Sequence, residues 1–252
     1  MWCDAWNDGV AQGPVAAGLV DGDLGAGQPV CPRTALGLDG TGSAIIETEN
    51  LYGRIVATGK LTGSYVLNDR LSLYGSLEAV RLDTIITAIS VTGLGPGYTD
   101  LGGSYRLLAN DHAALAVHTT FVLPTAFTID KHSFPLGWDL GLDAVYAPKD
   151  TLLLHGSLVP GVGVALGGGP AFPTYGVNLD VGAEWKPFHR FGFVLDGISA
   201  FGRTDVLDYA GVGVGFRGGV GEHFGLSFEA RAPLVGRARE LASVDLRGAW
   251  RF

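Results

Sequence analysis

Most of the sequence alternates apolar and polar residues in short blocks. In the block 51–67, Ile55 and Leu61 share one parity, whereas Arg54 and Lys60 share the other. A period of two residues predicts a β-strand with one apolar and one polar face. About twelve such blocks occur, and short connections between them alternate with longer ones. The pattern therefore predicts an all-β chain of antiparallel strands joined by hairpins.

Twelve strands are predicted, and the first of them shows the weakest alternation. They span 35–47, 51–67, 71–79, 98–108, 113–123, 136–147, 152–164, 175–185, 191–201, 209–220, 224–232 and 241–252. Short turns are predicted at Asn68-Asp69, Asn110-Asp111, Pro148-Lys149-Asp150, Pro187 and Gly221-Glu222. Longer loops are predicted near 83–97, 124–135, 166–173, 202–208 and 233–240. The first of these loops is apolar in its first half, which favours an extension of the neighbouring strands into it.

Composition favours a membrane protein over a soluble one. The 252 residues include 40 glycines and only 17 % charged residues, and the mean hydropathy is +0.27. Because no run of 18 or more apolar residues occurs, we exclude a transmembrane helix. A closed sheet is the remaining way to span lipid, since it satisfies every backbone hydrogen bond internally. Alternation alone leaves a soluble barrel with an apolar core as the competing interpretation.

Aromatic residues decide between these two interpretations. On the apolar parity they recur once per hairpin, at separations of 40, 41, 39, 31 and 34 residues, mostly just before a short turn. A ring at one depth is typical of an aromatic girdle at a membrane interface. The predicted girdle comprises Tyr65, Tyr105, Tyr146, Trp185, Phe216 and Trp250, and a second one near the longer loops comprises Phe121, Trp138, Tyr175 and Phe201. We predict a transmembrane antiparallel up-and-down β-barrel over 34–252, with short turns and termini in the periplasm.

Charges of both signs lie on the polar parity and are predicted to line the lumen. Either they form a salt-bridge lattice that fills a narrow barrel, or they form a charged constriction that selects solutes. The two are compatible if the lattice leaves a small pore. Neighbouring strands are expected to bring Glu78 near Arg54 or Lys60, and Glu229 near Arg217 or Arg247. The predicted lining residues are Arg54, Lys60, Glu78, Asp100, Arg106, Asp139, Asp143, Asp180, Glu184, Arg217, Glu229, Arg231, Asp245 and Arg247.

The segment 1–33 is rich in glycine and shows no strand or helix period. We interpret it as an N-terminal periplasmic extension or a plug, with an unstructured linker as the alternative. Cys3 and Cys31 are the two cysteines of the chain and predict a disulfide in an oxidising compartment, or else two free thiols. Because no signal peptide precedes Trp2, we interpret Met1 as an addition to a mature chain whose export signal has been removed.

Several function classes are disfavoured by the sequence. A net charge of −8 and a pI near 5.1 argue against nucleic acid as a partner. His155 and Ser157 share a strand face, but no G-x-S-x-G or H-E-x-x-H motif occurs, and His118 has only threonines beside it. We therefore predict that the protein is not an enzyme and that it uses no cofactor or metal.

The last strand ends on Phe252, two residues after Trp250. It resembles the closing strand of bacterial outer-membrane barrels, whose terminal phenylalanine is read by the barrel-insertion machinery. An edge strand of a soluble protein is the alternative. The resemblance implies an integral protein of the outer membrane of a Gram-negative bacterium. It implies contacts with outer-membrane lipid and lipopolysaccharide, and recognition of Trp250 and Phe252 as the insertion signal.

The segment 93–108 combines a glycine-rich loop, Asp100 and a following alternating strand. Together with 114–125 it resembles a hairpin of small outer-membrane channels, including the meta-pathway phenol-degradation-like family, although the cysteine pair departs from that family. The resemblance implies a passive channel for small solutes, apolar compounds among them. The composition also resembles barrels of myxobacteria. That likeness implies the alternative function, a non-transporting barrel that anchors or scaffolds an envelope complex such as a gliding-motility machine, with other envelope proteins as partners.

Overall fold

The structure is a computed structural model. It describes residues 34–47, 52–68, 70–87, 90–110, 112–125, 134–149, 151–166, 173–188, 191–202, 207, 209–220, 223–236 and 239–252. Cys3, Cys31 and the rest of the N-terminal extension lie outside these residues. The disulfide and the boundary between extension and barrel therefore stay predictions.

Thirteen strands account for nearly all of the described residues. They are β1 (Ala35–Glu47), β2 (Tyr52–Val66), β3 (Leu71–Ile86), β4 (Ser90–Gly95), β5 (Thr99–Ala109), β6 (Ala113–Leu123), β7 (Phe134–Lys149), β8 (Leu152–Leu166), β9 (Pro173–Phe188), β10 (Phe191–Phe201), β11 (Tyr209–Val220), β12 (Phe224–Gly236) and β13 (Arg239–Arg251). Among the described residues there is no helix long and apolar enough to cross a membrane.

The strands form one closed barrel. Every pairing between neighbouring strands is antiparallel, and β13 returns to pair with β1, with Ala35 opposite Arg251. The short strand β4 pairs with the half of β3 from Arg81 to Ile86, whereas β5 pairs with the half from Leu71 to Leu77. β4 and β5 therefore occupy one position in the wall, and the barrel has twelve strands around its circumference. The prediction of an all-β antiparallel barrel of about twelve strands is confirmed.

The break between β4 and β5 is held by backbone hydrogen bonds to β3. The amide of Gly97 donates to the carbonyl of Glu78 at 2.8 Å, and the amide of Glu78 donates to the carbonyl of Tyr98 at 2.9 Å. A Cβ on Gly97 would overlap the side chain of Glu78. A glycine is needed here because the buried glutamate passes directly over the backbone.

The wall is apolar on the outside and polar on the inside, as β7 shows. Trp138, Leu140 and Leu142 are 45 %, 48 % and 42 % exposed, whereas the alternating Asp139 and Asp143 are 0 % and 3 % exposed. A soluble barrel buries its apolar face and exposes its charges. This chain does the reverse, as expected of a barrel surrounded by lipid.

Three of the predicted connections are present but displaced or shorter than predicted, because prolines that were taken to end strands lie inside bulged strand ends. The strand β9 continues through Pro187 to Phe188, and β7 continues through Pro148 to Lys149; at each place the register shifts by one residue. The predicted loop 233–240 is mostly strand, and a register shift in β12 accommodates Pro233. A bulge leaves one residue out of the ladder, so it tolerates a residue that has no N–H.

The predicted loop 83–97 is also mostly strand. β3 runs on to Ile86, and β4 pairs back onto it from Ser90 to Gly95. The apolar residues of this segment therefore belong to a hairpin that lengthens the wall on the side of the longer loops, in agreement with the predicted extension of the strands.

Candidate functional site

The six residues of the predicted girdle lie on the outer face near the short turns. Five of them are exposed, and Phe216 is half-buried because it stacks on Phe191 at 5.7 Å and on Phe228 at 5.5 Å between ring centroids. The exposed members are Tyr65, Tyr105, Tyr146, Trp185 and Trp250. Phe252 is exposed at the end of the chain, and its amide donates to the carbonyl of Thr34 at 3.2 Å.

Aromatic residues also lie on the outer face near the longer loops. Phe121 and Trp138 stack with ring centroids 6.4 Å apart, and Tyr175 is exposed. Tyr175 and Trp185 are ten residues apart on β9, which corresponds to about 25 Å along the barrel axis for a rise of about 3.3 Å and a tilt of about 40°. That separation matches the height of the apolar band of outer-membrane barrels, about 25 Å.

All fourteen residues of the predicted lumen lining lie on the inner face, and none is exposed. Eight are buried, namely Glu78, Asp100, Asp139, Asp143, Asp180, Glu184, Arg217 and Asp245. Six are half-buried, namely Arg54, Lys60, Arg106, Glu229, Arg231 and Arg247. The inner face is therefore the candidate functional site, and its ion pairs decide what it can do.

A first group of ion pairs connects β2 and β3. Arg54 pairs with Asp83 through two hydrogen bonds, and the guanidinium of Arg81 lies between the two acids, 3.4 Å from Glu78 Oε1 and 3.7 Å from Asp83 Oδ2. The same guanidinium lies over the ring of Tyr98, 5.2 Å from its centroid. Of the two partners predicted for Glu78, Lys60 lies directly opposite it in the register of β2 and β3.

Sequence reasoning missed Arg81 and Asp83. The register shifts by one residue at Ala79, because Gly59 pairs with Val80 but Lys60 pairs with Glu78. Strict alternation from Glu78 would place Arg81 and Asp83 on the outer face, because their numbers differ from 78 by an odd number. The bulge at Ala79 shifts the parity and brings both residues to the inner face. A bulge has little sequence signature, so the signal available was only the pair of opposite charges two residues apart.

A second group of polar side chains crosses β3, β5 and β6. The hydroxyl of Tyr74 lies 2.7 Å from Thr120 Oγ1 and donates to the carbonyl of Thr119 at 3.1 Å. Its ring passes over Gly102, where a Cβ would lie 2.5 Å from ring atoms. Ser76 donates to Asp100 at 2.8 Å. Hydrogen-bonded side chains thus fill this part of the lumen.

A third group contains a histidine, an aspartate and a serine, but not in a catalytic order. Asp143 lies between the other two: it pairs with His118 Nδ1 and accepts a hydrogen bond from Ser157 at 2.8 Å. Nucleophilic catalysis needs the histidine between the serine and the acid. His155, which shares a face with Ser157, instead approaches Asp196, with Nε2 and Oδ1 2.9 Å apart. Ser157 and His155 are therefore directed to different carboxylates.

A fourth group lies on β9 to β13. Arg217 Nη1 donates to Glu184 Oε2 at 3.1 Å. Arg231 donates to Glu229 at 2.7 Å and lies 3.2 Å from Asp245. Among the described contacts, Glu229 thus takes a partner from its own strand rather than the predicted Arg217 or Arg247.

The inner face is not equally buried around the barrel. On β3 and on β5 to β10 most inward polar side chains are buried. On β1, β2 and β12 they are mostly half-buried; Thr41 and Thr58, whose hydroxyls are 2.5 Å apart, and Arg54, with 30 % of its side chain exposed, are examples. On β11 four of the inward positions are glycine, namely Gly211, Gly213, Gly215 and Gly219. The less buried, accessible part of the inner face therefore runs from β11 through β12 and β13 to β1 and β2, although Arg217 on β11 and Ser243 and Asp245 on β13 are buried.

Comparisons with known proteins show the fold. No protein-family model and no curated protein sequence matches the chain. The structure is similar to an outer-membrane channel from Pseudomonas putida F1, with a TM-score of 0.66, 14 % identity, and coverage of 89 % of this chain and 97 % of the channel. It is also similar to the KdgM porin in complex with disordered oligogalacturonate (TM-score 0.55, 9 % identity, coverage 86 % and 99 %). A third similar structure is the translocator domain of the autotransporter NalP from Neisseria meningitidis (TM-score 0.59, 9 % identity, coverage 88 % of each chain).

At these identities the likeness concerns the fold alone. The structure shares its fold with outer-membrane barrels that include a channel, a porin and a translocator domain. The comparisons give no support to the meta-pathway phenol-degradation-like family in particular, to a myxobacterial origin, or to the scaffold alternative.

Proposed function

We propose that the protein is an integral outer-membrane barrel of a Gram-negative bacterium and acts as a passive channel for small solutes. The observation that carries the proposal is the uneven inner face, which combines a buried polar wall with an accessible one that bears charges of both signs. Similar folds that include an outer-membrane channel and a porin support it.

The proposed path follows the accessible wall that runs from β11 through β12 and β13 to β1 and β2. On the opposite wall, His118, Thr120 and Asp139 are almost fully buried, so a solute has little contact with them. On the accessible wall, Lys60 and Arg54 are half-buried, with 30 % of the Arg54 side chain exposed, and they can meet a passing solute. A charged lining sorts solutes by sign and size. The buried wall is thus the structural part of the ion-pair lattice, and the accessible wall is the part that selects solutes.

The lining favours small polar solutes. Uptake of apolar compounds remains an expectation from the likeness of 93–108 to small-channel hairpins, and the same assay can test it. Hydrolysis is not proposed, since Ser157 and His155 are directed to different carboxylates.

Liposome swelling with the purified full chain tests the proposal. Vesicles that contain the protein should swell in isotonic pentose at a rate well above that of empty vesicles, and the rate should fall steeply for trisaccharides. Swelling no faster than that of empty vesicles, for every sugar and for a small aromatic alcohol, would contradict a passive channel.

Two variants of opposite walls test the path. Lys60→Gln removes a charge from the accessible wall, and Asp143→Asn removes one from the buried wall, where Asp143 is 3 % exposed. In a KCl gradient across a planar bilayer, the first change should shift the reversal potential towards cation selectivity and the second should leave it unchanged. Equal shifts in both variants would place the path elsewhere.

A further inference from the structure

One group of side chains on the inner face is built differently from the ion pairs around it. His155 on β8, Gly182 on β9 and Asp196 on β10 lie in one row across three strands. Asp180 lies two residues before Gly182 on the same face of β9. A Cβ on Gly182 would overlap Asp196 Oδ1 and lie 2.6 Å from His155 Nε2. The bare backbone at Gly182 therefore lets the histidine and the two acids converge.

The three side chains present one potential ligand atom each, and these atoms lie within 4.8 Å of one another. His155 Nε2 and Asp196 Oδ1 are 2.9 Å apart. Two ligand atoms of a tetrahedral Zn²⁺, with metal–ligand bonds of about 2.1 Å, are about 3.4 Å apart. The two atoms are therefore about 0.5 Å closer than in a tetrahedral coordination sphere, a difference that small side-chain rotations can close.

Asp180 supplies an independent sign of a missing charge partner. It is only 6 % exposed, and neither of its carboxylate oxygens accepts a hydrogen bond from any described residue. Its neighbour across the strand, Ser157, donates to Asp143 instead, at 2.8 Å. A buried carboxylate without hydrogen bonds is strongly disfavoured unless a cation or a proton neutralises it.

The arginines on this side of the barrel are committed to other acids. Arg217 bonds Glu184 at 3.1 Å, and Arg231 contacts Glu229 at 2.7 Å and Asp245 at 3.2 Å. Within the described part of the chain neither arginine forms an ion pair with Asp180 or Asp196, although the charge of Arg231 acts on both acids and that of Arg217 on Asp196 from a greater distance. Among the described residues, the imidazole of His155 is thus the one basic group in direct contact with these two carboxylates.

The group of His118, Asp143 and Ser157 provides an internal comparison. Its histidine also lies over a bare glycine, Gly141, where a Cβ would overlap the ring. Its third member is a hydroxyl that donates to the acid, so this carboxylate has both a histidine and a hydrogen-bond donor. The group of His155, Asp180 and Asp196 has a carboxylate, that of Asp180, in place of the Ser157 hydroxyl. This replacement adds a negative charge and removes the hydrogen-bond donor.

We propose that His155, Asp180 and Asp196 form a binding site for a divalent transition-metal ion, Zn²⁺ by preference, on the inner wall of the barrel. One imidazole nitrogen and two carboxylate oxygens are ligands that Zn²⁺ accepts, with water at a remaining position. The ion neutralises the two acids and cross-links β8, β9 and β10. The site is structural and is independent of whether the lumen conducts solutes.

Zinc content and thermal unfolding of the full chain in detergent test the site, in a Cys3→Ser/Cys31→Ser background that removes thiolate ligands. After loading with Zn²⁺ and exhaustive dialysis, the parent and Asp143→Asn should each retain one equivalent of zinc. Asp180→Asn and His155→Gln should retain none. Zinc retained equally by all four proteins, or by none, would overturn the proposal.

The melting temperature supplies a second readout that also reports folding. In EDTA, Asp180→Asn should melt no lower than the parent, since the change removes a buried charge without a partner. At a hundredfold excess of free Zn²⁺ over its Kd, the parent should gain about 5–10 °C and Asp180→Asn should gain nothing. Asp143→Asn should lose stability equally with and without zinc. If the parent gains nothing from zinc, the two acids share a proton instead and the site does not exist.

Discussion

The ion pair between Arg217 and Glu184 offers the most quantitative test of the lattice on the inner face. Glu184 is 0 % exposed, and the 3.1 Å contact from Arg217 is its one hydrogen bond within the described part of the chain. At that distance two unit charges attract by about 5 kcal/mol for an effective dielectric constant of about 20. Desolvation offsets most of this attraction when both partners are present, but not when one is removed.

Replacement of the arginine alone should therefore cost far more than replacement of both partners. Arg217→Met leaves a buried carboxylate without a partner, and we expect a loss of about 3–5 kcal/mol in the free energy of unfolding. For a chain of this size the loss corresponds to a fall of about 6–20 °C in the melting temperature. The double variant Arg217→Met/Glu184→Gln should recover most of the loss, because no buried charge remains.

The wild type, Arg217→Met, Glu184→Gln and the double variant form a double-mutant cycle. Thermal melts of these four proteins, followed by circular dichroism in one detergent at one pH, measure the coupling between the two residues. The reasoning is refuted if Arg217→Met melts within about 2 °C of the wild type. It is also refuted if the double variant melts as low as Arg217→Met, since the buried charge would then not be the cause.

Three further predictions concern the inner face, the girdle and the C-terminus. Gly141→Ala should destabilise the barrel by about 1–3 kcal/mol, because the added Cβ would overlap the ring of His118. The control Gly42→Ala should be close to neutral, because the space around its Cβ is open. Equal melting temperatures for the two variants would contradict the packing of the His118 ring on Gly141. In a variant that retains Trp185 as its single tryptophan, lipids brominated near the headgroup should quench fluorescence more than lipids brominated near the chain end, and the reverse order would exclude a position at the interface. Phe252→Ala should lower the amount of heat-modifiable, assembled barrel in outer-membrane fractions without changing synthesis; unchanged assembly would remove its role as the insertion signal.

Alternation and the spacing of the aromatic residues were together sufficient to predict the fold, because a barrel in lipid needs a period of two, closure of the sheet and aromatic residues at the interface. The outer face of β7 shows this directly, with Trp138 and Leu142 outside and Asp143 inside. The strand ends were less predictable. Pro148 and Pro187 are turn residues by composition, but bulges let the strands continue through them.

Most contacts on the inner face could not be predicted from the sequence, although Lys60 does lie opposite Glu78 in register, as expected. Arg81 reaches the inner face only because the register shifts at Ala79. His155 and Asp196 lie 41 residues apart in the sequence. They approach each other because both lie opposite Gly182, which has no side chain to keep them apart. Period and parity define a face, whereas a contact between side chains depends on register, stagger and the absence of a Cβ at one position.

Single-channel conductance of the purified full chain in a planar bilayer, with and without reductant, decides whether the protein is a passive channel. A passive channel should give steady current steps that scale linearly with voltage. A current that appears only after reduction would identify the segment with Cys3 and Cys31 as a plug. Silence in both conditions, from protein shown to be folded and inserted, would contradict a passive channel.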